Sequence, residues 1–417
     1  MRNYLLLLFC SSCFSFFGTT QENKEPKDSV TYTKEFYGFA RVDYSWDTRQ
    51  SAYVREYHLN LWPLDKKLDA NNEDINDAGA NNFLALVTRF GVKFSGPNVW
   101  GAKVYGNIEG DFFGNSESSI ALLRMRHSYA KLSWDKTDIT MGLTWFPQFV
   151  PEVYPGVVNF STGIPFNPFG WATQFRVDQR LNNAFTAIFF AHKDREFGSV
   201  SADGIQNSGN FRSVIPNLHG KLQYKKGNWL AAAGYEIKHI MPLLESNNLR
   251  SSEVLQTHSV LSYMKYNRKK FHIKAYAISG ENLTNLVMLG GYAGLDDGLN
   301  PMTFKGIRTS SAWIDVASNN PKWAPGLFVG YTMQNGINSS YAPSAVFARG
   351  IDLNRGVKDM WRASARIDFK QNKMRISPEI EYTHATHGDT QSNLMISGNE
   401  NSVGNFRATV SMVYSFD

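Results

Sequence analysis

The feature that most constrains this chain is an alternation of apolar and polar residues that recurs from residue 36 almost to the C-terminus. Between Trp100 and Phe112, Ala102, Val104, Gly106, Ile108, Gly110 and Phe112 fall on one side of an extended chain. Lys103, Tyr105, Asn107, Glu109 and Asp111 fall on the other. Residues 36–46 repeat the pattern, with Phe36, Ala40, Val42, Tyr44 and Trp46 opposite Tyr37, Phe39, Arg41, Asp43 and Ser45. The same test predicts strands at 36–46, 83–94, 100–112, 121–134, 137–146, 173–180, 183–193 and 217–225. It continues with 228–240, 254–266, 270–280, 326–335, 358–369, 373–383 and 405–416, and more weakly with 53–62 and 307–316. Strands of globular proteins average about 5 to 6 residues, and most of these are longer. A tilted strand needs about 9 to 11 residues to cross a bilayer.

The links supply an independent test. They alternate in length: 47–82 long, 95–99 short, 113–120 longer, 135–136 short, 147–172 long, 181–182 short, and so on to 267–269. Long loops on one side and short turns on the other are the habit of outer-membrane barrels. Accepting 307–316 as a strand and leaving 53–62 in the first long loop keeps that rhythm. The strand number is then an even sixteen, with both ends of the chain on the side of the short turns. The expected fold class is all-β, a transmembrane antiparallel β-barrel of 16 strands over residues 36–417. A soluble sandwich or propeller has shorter strands and no such alternation of links. Mean hydropathy is −0.34, which suits a barrel because only every second residue faces lipid.

Arg2, the apolar stretch Tyr4 to Phe17 and the small residues Gly18, Thr19 and Thr20 read as a signal peptide over 1–20. A polar segment, 21–35 (beginning QENKEPKDS), is then expected on the periplasmic side. Cys10 and Cys13 both lie inside the predicted leader, so the mature chain would carry no disulfide. Lipidation of Cys13 is the alternative, and Phe14, Phe16 and Phe17 tell against it. The net charge of +6 is spread along the chain rather than gathered on one basic face. That excludes a nucleic-acid partner.

No motif of a hydrolase, zinc protease, P-loop or dinucleotide site occurs, so no catalytic residue, metal or cofactor is expected. His384 and His387 are placed in a polar loop. The acidic stretch Asp65, Asp69, Glu73, Asp74 and Asp77 could meet a calcium ion but lacks EF-hand spacing. The segment 147–172 is unusual: Pro147, Pro151, Pro155, Pro165 and Pro168 stand among Phe149, Tyr154, Phe160, Phe166, Phe169 and Trp171. Proline forbids a regular strand there. So many apolar side chains need a surface to pack against. That surface is the lumen wall, or else the barrel rim or a neighbouring subunit.

The polar strand faces should line a pore. Strand phase assigns them Arg41, Arg89, Lys93, Lys103, Arg124, Arg126, Arg176, Arg180, Arg362, Arg366, Arg375 and Arg407. The same faces carry Asp43, Glu109, Asp111, Asp178, Asp368, Glu379 and Glu381. The basic surplus would concentrate anions, while Arg–carboxylate pairing would stiffen the wall. Strict alternation in 121–134 turns Arg124 and Arg126 inward beside the small Ser128 and Ala130, free to reach a constriction. It turns Leu123, Met125, His127, Tyr129 and Lys131 outward, where an oligomer contact, or a Lys131 that snorkels at the rim, would be needed to shelter the charge.

Several stretches resemble the DcaP-type trimeric porins and their Bacteroidetes relatives. They are GFARVDYSWDTRQ (38–50), LWPLDKKLDANNEDIN (61–76), RFGVKFSGP (89–97), GAKVYGNIEGDFFG (101–114), LRMRHSYAKLSW (123–134), the Pro-rich loop and PEIEYT (378–383). The final strand, rich in apolar side chains and ending Phe416–Asp417, looks like the insertion signal of that class. The resemblance implies a homotrimer in the outer membrane, in contact with its lipid, that passes small anionic solutes such as dicarboxylates. It also implies an inward fold of loop 147–172, and pore arginines at Arg41, Arg89, Arg124 and Arg126. Two other functions compete: an outer-membrane phospholipase, and a structural barrel or adhesin with a closed lumen.

Overall fold

The computed structural model describes residues 32–416, apart from 161, 198–200 and 340. The expected signal peptide and most of the segment 21–35 lie outside the described residues. Sixteen antiparallel strands form the wall among the described residues. They are β1 Thr33–Asp47, β2 Arg89–Val99, β3 Ala102–Asp111, β4 Arg124–Ser133, β5 Thr137–Trp145 and β6 Trp171–Arg180. Next come β7 Phe185–Asp194, β8 Asn217–Lys226, β9 Trp229–Ile240, β10 Leu255–Asn267 and β11 Phe271–Glu281. The last five are β12 Thr303–Ser318, β13 Trp323–Gln334, β14 Arg355–Gln371, β15 Met374–Asp389 and β16 Asn401–Phe416. Each strand pairs with the next, and β1 pairs with β16 from Gly38↔Phe416 to Asp47↔Arg407. The sheet therefore closes on itself, and no wall strand is left with a bare edge.

The predicted elements hold, including the weak 307–316, with shifted ends. β1 begins at Thr33, so the last three residues of 21–35 belong to the wall. The short link expected at 95–99 is wall instead: β2 runs to Val99 and the turn is Trp100–Gly101, both at positive φ. β15 extends to Asp389, so His384 and His387 are not loop residues. His384 stacks outward on Trp361, and His387 is buried with Nε2 3.0 Å from the Pro63 carbonyl oxygen. Segment 53–62 becomes a hairpin, Ser51–Val54 with Leu59–Pro63, inside the first long loop.

One departure changes chemistry. Between β3 and β4 the register shifts: Glu109 faces His127, but the next residue, Gly110, faces Met125. Arg126 is the extra residue of a β-bulge, and a bulge reverses the parity of everything beyond it. His127, Tyr129 and Lys131 consequently share the inward face with Glu109 and Asn107, while Ser128 and Ala130 turn to the lipid side. Lys131 is bound to Asp138 of β5 at 2.8 Å. The costly outward lysine is absent, and with it the reason for putting an oligomer contact on β4.

The outward face is apolar, and aromatic side chains gather at its short-turn end. Trp229, Tyr266, Phe271, Trp323 and Phe369 form linked ring pairs beside the short turns. Such girdles mark the membrane–water boundaries. Glycines on this face are covered by neighbouring rings: Phe94 lies over Gly106 and Phe416 over Gly38. Short turns of barrels of this class face the periplasm. An epitope inserted within 47–79 or 296–301 should be labelled on intact cells, whereas one at Gly227–Asn228 should be labelled only after permeabilisation; surface labelling at 227–228 would invert the barrel.

Candidate functional site

The Pro-rich segment between β5 and β6 crosses the inside of the barrel. Its contacts run round much of the wall. The Tyr276 hydroxyl of β11 donates to the Gln148 carbonyl at 2.9 Å, and Lys274 Nζ to the Tyr154 carbonyl at 2.9 Å. Glu379 of β15 accepts the backbone N–H groups of Val158 and Asn159 at 3.1 and 3.3 Å. Arg41 of β1 donates to the Val158 carbonyl at 2.6 Å, and Arg362 of β14 to the Ile164 carbonyl at 2.7 Å. Ser311 and Trp313 of β12 hold Phe166 and Asn167 at 2.9 and 3.1 Å. Prolines explain the choice of partners. The loop cannot form a ladder of its own, so its backbone groups are satisfied by wall side chains.

Apolar packing completes the plug. Phe146, Val150, Val153 and Phe166 cluster with Tyr263, Tyr276, Trp313 and Phe328 of the wall, and with Leu283, Leu286, Met288 and Leu289 of the loop after β11. The first loop closes over the outer side. Arg362 reaches the Leu61 carbonyl at 3.1 Å, Arg49 pairs with Asp74 at 2.8 Å, and Arg355 pairs with Asp65. Burial would raise the Asp74 carboxyl, but the N–H groups of Lys67 and Asn76 and the Arg49 guanidinium outweigh it and hold the group low. Desolvation pushes His58, in the same loop, down to about 4, so it stays neutral at physiological pH. Among the described residues no His, Cys, Asp and Glu group is arranged to hold a metal. The acidic loop instead spends its carboxylates on arginines and on its own backbone.

On the periplasmic side of the plug lies an open cavity of about 750 Å³. It is lined by Arg89, Lys93, Lys131, Arg176, Arg180, Lys221 and Lys225, with Glu109, Asp138, Glu152 and Asp178 among them, and by Tyr37, Tyr129, Phe149 and Phe190. Several of these charges are already matched. Arg176 pairs with Asp178 at 2.6 Å, and Asp138 takes both Lys131 at 2.8 Å and Arg180 at 3.2 Å. Lys221 donates to the Pro147 carbonyl at 3.2 Å and stands 5.1 Å from the Phe190 ring centroid. Lys225 is exposed and has no carboxylate within ion-pair distance among the described residues.

Nine of the twelve arginines and lysines that strand phase assigns to the pore are divided as follows. Arg89, Arg176 and Arg180 border the cavity. Lys103 is exposed near the periplasmic end of β3, and Arg41 borders a smaller hollow at the mouth while gripping the crossing loop and Asp43 at 2.8 Å. Arg124, Arg126, Arg362 and Arg366 are buried. Arg124 is bound to Asp111 at 2.6 Å and to Glu196, and Arg362 and Arg366 pair with Glu381 at 3.3 Å and Asp315 at 2.7 Å. The acids come partly from outside the strand-phase set: Asp47, Asp138, Asp315 and Glu196 join it. Lys221 and Lys225 were missed, although Leu218, Leu222 and Tyr224 on the opposite face already marked their side of β8 as inward.

Arg126 is 0% exposed. It stands 3.4 Å from Glu109 and 3.5 Å from Asp111, with its guanidinium 5.1 and 4.7 Å from the ring centroids of Trp145 and Trp171. The earlier picture of Arg124 and Arg126 reaching freely into the channel therefore fails. Replacing them by Glu would add buried like charge beside Glu109, Asp111 and Glu196 and should abolish folding. Arg126→Met, which strands two carboxylates, should lower stability by about 3 to 5 kcal/mol in urea unfolding. Full stability with an altered ion preference would instead place Arg126 in the open channel.

Among protein-family models and curated sequences nothing matches the chain. Solved structures do. The outer membrane channel DcaP of Acinetobacter baumannii superposes with a TM-score of 0.67 at 17% identity, over 92% of this chain and 97% of that one. An anion-selective porin from Comamonas acidovorans gives 0.54 at 11% identity, over 93% and 100%. OmpF of Salmonella typhi, in complex with daunomycin, gives 0.52 at 13%, over 92% and 97%. At such identities the likeness is one of fold, and it is consistent over nearly the whole length. The chain has the sixteen-stranded β-barrel fold of the porins, DcaP among them.

Proposed function

We propose that this protein is a passive porin that admits small hydrophilic solutes and prefers anions, dicarboxylate-like ones included. The carrying observation is the cavity beneath the crossing loop, where basic side chains outnumber acidic ones and Lys225 and Lys93 are exposed. Fixed positive charge in a confined aqueous space raises the local anion concentration. Weak, multiple contacts suit passage, since a solute held too firmly does not leave. The dense packing of loop against wall restricts the route to small solutes. No catalytic step is part of this reading.

That same packing favours one other reading, a barrel whose lumen stays closed. Planar-bilayer recording separates the two, because a closed barrel gives no single-channel steps. In a KCl gradient the wild type should reverse on the chloride side of zero. Reversing a charge about 10 Å from an ion in water alters its energy by ~0.8 kcal/mol, about fourfold in occupancy before screening. Lys93→Glu, Lys221→Glu and Lys225→Glu together should therefore shift the reversal potential towards that of potassium while conductance persists. An unchanged potential would remove these lysines from the ion path.

The resemblance to trimeric porins supports a homotrimer. Native mass spectrometry in mild detergent should give three times the protomer mass; monomer alone at every protein concentration would refute the trimer.

A further inference from the structure

The short turns of the second half of the barrel carry a charge pattern of their own. Three neighbouring turns join β10 to β11, β12 to β13 and β14 to β15. They read Asn267-Arg-Lys-Lys270, Ser318-Asn-Asn-Pro-Lys322 and Phe369-Lys-Gln-Asn-Lys373. Each is basic and none contains an acid. They are also tied together: the Asn319 N–H donates to the Lys270 carbonyl at 2.9 Å, and the Lys370 N–H to the Lys322 carbonyl at 2.9 Å. The positive charge is thus held as one arc along the periplasmic rim.

Beneath part of that arc the outer surface is hollow. A cavity of about 510 Å³ is bounded by Lys322, Lys370 and Lys373 at the rim and by Trp323, Phe369, Ile376 and Tyr414 below. Trp323, Ile376 and Tyr414 are exposed, and they belong to the outward face of β13, β15 and β16. Trp323 and Phe369 meet edge to face with centroids 5.0 Å apart, a rigid apolar wall. Asp368 pairs with Lys370 at 3.3 Å. It lies on the inward face of β14, where it also accepts from Ser377. A ligand here must be anionic at the turns and apolar along the strands.

We propose that this hollow binds an anionic phospholipid of the periplasmic leaflet. Its phosphodiester would sit among Lys322, Lys370 and Lys373, and an acyl chain would lie along Trp323, Ile376 and Tyr414. The apolar floor favours a lipid over an acidic protein or a soluble polyanion, because it is continuous with the membrane-facing band. Basic juxtamembrane pockets attract anionic lipid, and tryptophan fixes depth at the interface. The site lies on the outside of the barrel and does not depend on what the lumen conducts.

The test is native mass spectrometry of the full barrel, stripped of lipid in mild detergent. It is then offered equal amounts of phosphatidylglycerol and zwitterionic phosphatidylethanolamine. Wild type should retain phosphatidylglycerol at least tenfold better. Lys322→Gln, Lys370→Gln and Lys373→Gln together should abolish the preference, as should Trp323→Ala in part. Lys136→Gln, on the turn joining β4 to β5 across the barrel, should keep it. Heat-modifiable gel migration confirms that each variant is folded. Should the triple variant fail that check, Lys322→Gln and Lys370→Gln singly should each weaken retention several-fold. Equal retention of the two lipids by wild type overturns the proposal, as does undiminished preference in a folded lysine variant. Displacement of the lipid by soluble poly-glutamate at matched charge would reassign the arc to an acidic protein.

Discussion

Closure of the sheet is the constraint on which everything else rests. In the hydrocarbon of a bilayer an unpaired backbone N–H or carbonyl costs several kcal/mol, and a closed barrel leaves no edge where one could occur. The pairing of β1 with β16 supplies that closure here. It also fixes the geometry of the interior. Sixteen tilted strands make a lumen too wide for wall side chains alone to fill. Long loops must enter it if the passage is to be narrow.

The interior shows how such a loop is kept in place. Wall side chains from β1, β11, β12, β14 and β15 bind its carbonyl and N–H groups. Several of those side chains are charged and buried, which would be costly unless they were matched. The arginine–carboxylate lattice provides the match. Glu379 serves the loop backbone and also accepts from Ser364, while Arg362 spans Glu381, Thr383, the first loop and the crossing loop. Most of the arginines are therefore structural groups that hold the loop and wall in register. Lys225, below the loop, stays exposed and outside that lattice. A third loop is secured in the same way, with Lys238 of β9 bound to the Asn282 carbonyl at 2.7 Å.

The bulge at Arg126 shows why strand phase read from one segment can mislead. A polar residue at every second position past Met125, namely His127, Tyr129 and Lys131, looked like an outward face needing shelter. One inserted residue turned that face inward and gave Lys131 a carboxylate partner on β5. The alternation itself was sound on either side of the insertion. Only its continuity across residue 126 was at fault.

The sequence by itself determined the class of fold, the strand number, the orientation of the chain ends and the face on which most side chains lie. Those depend on periodicity and length, which are local properties of a strand crossing a membrane. It also marked 147–172 as a segment in need of a packing surface, because proline and aromatic content are local as well. The tertiary structure alone decided which arginines remain open to water, since Arg124 finds Glu196 and Arg366 finds Asp315 only after distant strands are brought together. It likewise decided the parity of β4, because a bulge depends on how two strands pair.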